Sequence, residues 1–198
     1  DGSNQIEVAI ADLVPDPSGA GKDEVALGVN AGWEGYGGIV RDVYVELRPS
    51  AYIDNAQLGY KLNDDYTKVA CRVRVFVSST VASSGRVDVT LLEGKADVAH
   101  AGKAVEVPAG RSEAELTFDV DTPSLWSPNE PSLYELRVTL QTGSGEDQWR
   151  CRTGFRDVAI RGTEFLLNGE PILLNGVCRH DMWKDQGFTQ TRLQMQQD

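Results

Sequence analysis

The sequence predicts an all-β protein, and two observations support this. Twenty glycines and eight prolines are spread over the 198 residues, so few stretches are long enough for an uninterrupted helix. Between these breaks lie short segments in which apolar and polar residues alternate, as in strands with one buried face. About seven such segments fall between residues 50 and 158, the number of strands in an immunoglobulin-like antiparallel β-sandwich of ~100 residues.

The clearest alternation lies in Lys68–Val77. Its odd-numbered residues are Val or Cys, whereas its even-numbered residues include Lys68, Arg72 and Arg74. This period of two predicts a strand that buries its odd-numbered side chains. Further examples of such predicted strands are Gln5–Ile10, Val40–Leu47, Arg86–Leu92, Glu113–Val120, Leu133–Thr142 and Gln148–Thr153. Turn-forming residues predict loop tips at Asn63–Asp65, Ser83–Gly85, Pro108–Gly110 and Gly143–Gly145, and an exposed loop around His100.

The sequence divides into three regions, 1–48, 49–160 and 161–198. The first has two or three predicted strands and a long Gly- and Pro-rich stretch, which is too little for a closed core. In the third, Asn168-Gly169 predicts a two-residue hairpin turn. Thr191-Arg192-Leu193-Gln194 then matches a helix-start pattern. Because the chain stops soon after this predicted helix start, we expect it to be part of a longer protein.

Composition excludes several functions. The net charge of −11 and the lack of a Lys/Arg cluster argue against nucleic-acid binding. The apolar runs are too short to span a membrane, and no zinc, calcium or phosphate-loop spacing is present. We therefore expect neither a metal nor a cofactor. The polar start and the few cysteines leave both a periplasmic or secreted and a cytoplasmic location in a bacterium open.

Three stretches of the sequence carry distinctive motifs. The first is Gly-Gly-Ile-Val-Arg-Asp-Val at residues 37–43, and the second is Leu125-Trp126-Ser127-Pro128. The third begins at Gly154-Phe155-Arg156 and continues through residues 165–171 and 176–181. In this order and spacing they resemble glycoside hydrolase family 2, the family of β-galactosidases, β-glucuronidases and β-mannosidases. The resemblance implies the end of a sugar-binding jelly roll in 1–48, the immunoglobulin-like sandwich in 49–160, and the first strand and helix of a truncated TIM barrel in 161–198.

The resemblance also implies a substrate-binding region. Ile172–Val177 is expected to be the first barrel strand, buried on both faces, so that Arg179, His180 and Asp181 follow at the rim where active sites of such barrels lie. In the family, the histidine of this motif lies against the bound sugar, and this role passes to His180. The alternative is a solvated loop with a local ion pair.

Two aromatic residues in the glycine-rich segment 32–38 are further substrate-binding candidates. Trp33 and Tyr36 can stack on the apolar face of a sugar ring, and in the family this loop leans over the barrel mouth. The alternative is that both rings pack beneath the jelly roll.

The chain is expected to contain no catalytic residue. A retaining glycosidase needs two carboxylates about 5 Å apart, and in the family both are glutamates from later barrel strands. Asn129-Glu130 matches the dipeptide that carries the acid/base, but it lies between two prolines and is interpreted as a turn. The predicted function is thus the accessory part of a β-glycosidase that binds carbohydrate and contacts the rest of the barrel, with a homo-oligomer left open. The alternative is a free-standing carbohydrate-binding or adhesion module.

The three cysteines receive different predictions. Alternation places Cys71 and Cys151 on inward faces, where reduced thiols are favoured and a disulfide between them is the alternative. Cys178 is expected to be a packed barrel thiol, because no base is near it in the sequence.

Overall fold

The protein is described from a computed structural model, which covers residues 5–9, 29–30, 33–34, 39, 41–179, 183, 186–187 and 189–197. The chain forms two compact units. One unit comprises Asp1–Val45 and Gly176–Asp198, and the other is continuous from Glu46 to Asn175. The predicted division at residues 48 and 160 remains a prediction about the domains of the protein.

In the first unit, the short strands β1 (Val29–Asn30) and β2 (Trp33–Glu34) pair antiparallel, and the helix α1 spans Arg192–Gln197. The helix begins where the sequence predicted. The Thr191 backbone N–H donates to Gln194 Oε1 at 2.7 Å, and the Gln194 N–H donates to Thr191 Oγ1 at 3.4 Å. These reciprocal bonds form a capping box that satisfies N–H groups without a partner inside the helix.

The unit from Glu46 to Asn175 contains an antiparallel β-sandwich, as predicted. One sheet has the strand order β3-β4-β7 and the other has the order β6-β5-β8-β9. The turn at Pro108–Ala109 carries the chain from the second sheet to the first. The seven strands are β3 (Ala51–Leu62), β4 (Lys68–Ser79), β5 (Ser83–Glu93), β6 (Ala96–Val107), β7 (Gly110–Asp121), β8 (Tyr134–Thr142) and β9 (Gly145–Thr153).

The core lies between the inner faces of the two sheets. The odd-numbered residues of β4, from Val69 to Val77, are at most 3% exposed, which confirms the predicted alternation. They face Val87, Val89 and Leu91 of β5 and Leu136, Val138 and Leu140 of β8, all fully buried. Because burying one such side chain stabilises a fold by about 1.5–3 kcal/mol, this double layer is the main source of stability.

Two of the seven strands do not appear among the predicted segments. β3 contains a bulge between Ile53 and Asn55, which shifts the alternation by one residue. The bulged backbone is held from the other sheet, because Ile53 N–H donates to Asp147 Oδ2 at 2.7 Å. β6 has mostly small residues facing inward, such as Ala99 and Ala101, so its pattern is weak. His100 therefore lies on a strand and not in a loop, although it is exposed as expected.

Other turn and strand predictions are wrong. Ser83–Gly85 begins β5 and is not a loop tip. Residues 5–9 and 41–47 form no strand, and their side chains are exposed, with Tyr44 at 79% and Leu47 at 95%. An alternating segment becomes a strand only where a neighbouring strand accepts its hydrogen bonds and covers its apolar face. None of the described residues does this for these two segments.

A small sheet follows the sandwich. It has the order β10-β11-β12, with β10 (Val158–Arg161), β11 (Glu164–Leu167) and β12 (Glu170–Pro171). The turn between β11 and β12 is Asn168-Gly169, with φ values of 52° and 82°. Positive φ at both central residues is the geometry of a type I′ hairpin, so the predicted hairpin is confirmed.

Residues 172–179 form no strand, so Ile172–Val177 does not appear as the buried barrel strand expected from the sequence. Leu173 is 80% exposed and Val177 is 93% exposed. Cys178 is also exposed, which corrects its prediction as a packed thiol. A barrel strand is buried by the strands and helices around it, and the described residues supply no such neighbours.

The cysteines are all free and differ in burial, which predicts their order of alkylation. Cys71 is 3% exposed, and burial raises the pKa of its thiol to about 12. Burial also raises the pKa of half-buried Cys151. Because the thiolate is the nucleophile, iodoacetamide at about pH 8 should label exposed Cys178 first and Cys71 last.

Mass spectrometry of timed samples measures this order, and labelling in denaturant is the control in which all three thiols react alike. The raised pKa of Cys71 also makes the stability of the fold depend on pH. Its contribution to the free energy of unfolding is fully present below the unfolded pKa of about 8.5, and it is lost as the pH rises towards 12, because the thiol then ionises in the unfolded chain but stays neutral in the folded one. Equal labelling rates in the folded chain would contradict the burial of Cys71.

Candidate functional site

The residues predicted to bind substrate are only partly described. Tyr36, His180 and Asp181 lie outside the described residues. The backbone of Trp33 lies in β2 and pairs with Asn30. Arg179 is exposed and donates a hydrogen bond through its Nη2 to Gln190 Oε1 at 3.1 Å. These five residues therefore remain candidates from the sequence.

Gln190 was not singled out by the sequence. It is 9% exposed, and its Nε2 has no hydrogen-bond partner among the described residues. A buried amide nitrogen without a partner is costly. Burial and the pairing with Arg179 distinguish this glutamine from the other glutamines of residues 186–197, and neither feature is visible in the sequence.

Residues from two of the three motifs meet at one end of the sandwich. We call this the junction cluster and define it as Tyr60, Tyr66, Trp126, residues 154–157 and Asn168, all in the unit from Glu46 to Asn175. The Trp126 N–H donates to Phe155 O at 2.8 Å, next to a parallel bridge between Leu125 and Phe155. The segments Leu125–Pro128 and Gly154–Arg156 are thus joined side by side.

Phe155 is the apolar centre of the junction cluster. It is fully buried, and its ring lies 5.1 Å from that of Tyr60 at an angle of 85° and 5.0 Å from that of Tyr134. Edge-to-face and tilted contacts of this kind stabilise aromatic clusters. Gly154 permits the close approach, because a Cβ there would lie 3.0 Å from Cβ of Trp126.

The Tyr60 hydroxyl holds the backbone that leaves the sandwich. It accepts a hydrogen bond from Arg156 N–H at 3.1 Å and lies 3.0 Å from Arg156 O and 3.3 Å from Gly154 O. The guanidinium of Arg156 lies over the ring of Trp126 at 5.3 Å. Both sides of this backbone segment are therefore held by an aromatic residue.

Asn168 connects the hairpin to the sandwich. Its backbone N–H donates to Asp157 O at 2.9 Å, and its Oδ1 accepts from Asp157 N–H at 2.9 Å. Its Nδ2 donates to Trp126 O at 3.1 Å. One asparagine thus forms the turn with its backbone and binds two sandwich segments with its side chain.

Tyr66 closes the junction cluster from the other side. Its hydroxyl donates to Asp157 Oδ2 at 3.2 Å, and partial burial together with this hydrogen bond raises the pKa of Tyr66. Its backbone φ is 59°, which is unusual for a bulky residue. The ring lies 3.4 Å from the position that a Cβ on Gly169 would take. Tyr66 therefore packs on the hairpin turn.

Replacing Asn168 should separate its two contributions. Asn168→Gly keeps the positive φ but removes both side-chain hydrogen bonds, so we expect a loss of about 1–2 kcal/mol in the free energy of unfolding. Asn168→Ala also removes both hydrogen bonds, and alanine is strained at this positive φ. This variant should therefore lose more of the free energy of unfolding than Asn168→Gly. Urea unfolding followed by tryptophan fluorescence measures both. Equal stability of Asn168→Gly and the unchanged chain would show that the hairpin is held by other contacts.

The dipeptide Asn129-Glu130 is a turn, as predicted. Ser127 N–H donates to Glu130 O at 2.9 Å, and Glu130 N–H donates to Ser127 Oγ at 3.0 Å. The Glu130 carboxylate is exposed and forms no hydrogen bond or ion pair with the residues that the structure describes.

The part of the chain that the structure describes holds no group of three or more His, Cys, Asp or Glu side chains placed to bind a metal ion. In that same part, no helix has the length and apolar character needed to cross a membrane.

Comparisons with known proteins agree with the motifs. The family model described as glycosyl hydrolases family 2 matches residues 51–156, which is more than half of the chain. A β-glucuronidase from Bacteroides uniformis is similar in structure, with a TM-score of 0.67 and 22% identity over 75% of this chain and 20% of that one.

Two further solved structures are similar. A β-glucuronidase from Parabacteroides merdae has a TM-score of 0.64 and 21% identity, covering 75% of this chain and 19% of its own. A putative β-galactosidase from Bacteroides fragilis has a TM-score of 0.66 and 20% identity, and the match covers 73% of this chain and 23% of that one. At these identities the likeness shows the fold, and this chain spans about a fifth of each structure.

Proposed function

The chain belongs to glycosyl hydrolase family 2, and we propose that it is the accessory, non-catalytic part of a glycosidase that hydrolyses β-linked sugars with retention. In this proposal residues 1–48 end a jelly roll, residues 49–160 form the connecting sandwich, and residues 161–198 begin the catalytic barrel. The substrate of the whole protein is a carbohydrate, and the rest of the barrel is the partner of this chain.

The junction cluster is the observation that carries this proposal. A connecting domain must hold the chain that leaves it in one orientation, because a misplacement of about 1 Å at a catalytic centre can cost 10²-fold in rate. Asn168 does this for the hairpin through hydrogen bonds to Asp157 and Trp126, at 2.9 and 3.1 Å. The hairpin in turn leads directly into the segment that ends at the candidate residues Arg179, His180 and Asp181.

Exposed apolar residues beyond the sandwich also support the proposal. Val158 and Ile160 of β10 are 64% and 69% exposed, and Phe165, opposite Ile160 on β11, is 46% exposed. Together with Leu173 and Leu174 they form an apolar surface on the hairpin and the segment after it. Soluble proteins cover surfaces of this kind with another domain or partner.

A comparison of two proteins tests the proposal. A longer protein that continues beyond Asp198 is expected to hydrolyse nitrophenyl β-glycosides with retention, whereas residues 1–198 alone should not. The absence of a positioned general acid/base alone should lower the rate of hydrolysis by about 10²–10⁴-fold. Release of nitrophenol measures the rate. Hydrolysis by purified residues 1–198 that disappears in Glu130→Gln would contradict the proposal.

His180 in the longer protein provides a second test. If it donates a hydrogen bond to the sugar, His180→Ala should lower kcat/KM with little change in the melting temperature, because the bond strengthens in the transition state. The matched control is His100→Ala, an exposed histidine on β6 far from the motif in sequence. Loss of stability with normal activity per folded molecule would make His180 a structural residue.

A further inference from the structure

A polar notch lies beside the junction cluster, at the end of β3. It has a volume of about 390 Å³. We call it the Tyr66 notch, and it is lined by residues 60–64, Tyr66, Arg156 and Asp157. All of these residues belong to the unit from Glu46 to Asn175, and none belongs to the segment 172–179.

Four charged side chains line the Tyr66 notch, and all four are exposed to solvent. Lys61 and Asp64 form no hydrogen bond or ion pair within the described ranges, and the guanidinium of Arg156 contacts only the ring of Trp126. Asp157 uses one carboxylate oxygen for Tyr66. By contrast, Lys68 at the start of β4 is paired with Asp119 at 3.1 Å. These four charged residues lie on two stretches of the chain that line the notch, residues 60–66 and 156–157.

The walls of the notch are held in place before any ligand arrives. The Asn63 side chain donates to Thr67 Oγ1 at 3.1 Å and accepts from Lys68 N–H at 2.8 Å. Tyr66 is fixed by its bond to Asp157, and the Tyr60 hydroxyl by its bonds to residues 154 and 156. A preformed site loses little conformational entropy on binding, so even a small ligand can be retained.

We propose that the Tyr66 notch is a non-catalytic binding site for a neutral saccharide unit. The charges of its two cationic and two anionic side chains sum to zero, so the binding of phosphate or of a polyanion is disfavoured. A sugar hydroxyl both donates and accepts, so it can bind Asp64 or Asp157 through its hydrogen and Lys61 or Arg156 through its oxygen. Tyr60 and Tyr66 add apolar ring surface with a polar tip. The choice of a sugar over other polyols rests on the proposed function.

Titration of residues 1–198 with methyl β-D-glucopyranoside and methyl β-D-galactopyranoside tests this site. In two-dimensional amide NMR spectra, saturable shifts should be confined to residues 60–66 and 154–157, with a dissociation constant on the order of 1–10 mM. Methyl β-D-glucuronide, which carries a carboxylate, should bind no better. Absence of saturable shifts, or stronger binding of the glucuronide, would overturn the proposal.

A double variant and its matched control locate the site. Lys61→Ala with Asp64→Ala should weaken binding at least about tenfold, since two free hydrogen-bonding groups are removed. Lys95→Ala with Asp97→Ala makes the same change of charge at exposed residues of the β5–β6 hairpin and should bind as the unchanged chain does. Equal binding by both variants would overturn the site. The outcome is independent of the proposed hydrolysis, which is measured on the longer protein.

Discussion

Phe155→Ala is expected to lower the free energy of unfolding by about 3–5 kcal/mol, the usual cost of removing a buried phenylalanine ring. The side chain is fully buried and contacts Tyr60 and Tyr134 at ring distances of 5.1 and 5.0 Å. Its loss leaves a cavity where the sandwich meets the chain that leaves it. At about 2–4 °C per kcal/mol, the melting temperature should fall by roughly 6–20 °C.

Phe165→Ala is the matched control, because it removes the same ring from β11, where the side chain is 46% exposed. We expect a change within about 1 kcal/mol there. Urea unfolding monitored by circular dichroism measures both variants under one protocol. Similar losses for Phe155→Ala and Phe165→Ala would show that the junction cluster is not packed as the structure describes.

Gly85→Ala is expected to destabilise the sandwich by about 1–3 kcal/mol or more, through overpacking. Gly85 lies in β5, between β6 and β8, and a Cβ there would lie 2.4 Å from Gln141 O and 2.9 Å from Thr142 Cγ2. The nearer atom belongs to the backbone of a paired strand, which cannot move without breaking the ladder. The glycine is therefore required by the close approach of β8.

Gly143→Ala serves as the control for this prediction. Gly143 lies in the turn between β8 and β9, its φ is not in the positive range, and no atom lies within 4 Å of the position of an added Cβ. The substitution should be neutral or stabilise the chain by about 0.4–1 kcal/mol, because alanine restricts the unfolded state. If Gly85→Ala is tolerated as well as Gly143→Ala, β5 and β8 are not paired in the described register.

The features that could be predicted from the sequence depend on near neighbours in the chain. The alternation of β4, the positive φ values of Asn168-Gly169 and the capping box of Thr191 and Gln194 are all set by residues at most a few positions apart. The family could be recognised for a similar reason, since each motif is a short run of residues. The sandwich followed from counting such local patterns.

The errors and omissions concern contacts between distant parts of the chain. β3 was missed because its bulge shifts the alternation of apolar and polar residues. That bulge is stabilised by Asp147, which is 94 residues away from Ile53. Residues 41–47 and 172–177 have strand-like sequences, but a strand also needs a paired neighbour, and the described residues provide none.

The candidate site shows the same division. Trp126, Phe155 and Asn168 belong to motifs that the sequence singled out one at a time, and each motif has local features such as a turn or an aromatic residue. Only the tertiary structure brings them into one cluster, through contacts such as the hydrogen bond from Asn168 to Trp126, 42 residues earlier. Local chemistry therefore determined which residues can turn, cap or alternate. Burial and long-range hydrogen bonding decided which of them meet, because those energies exist only once the two sheets have closed on their core.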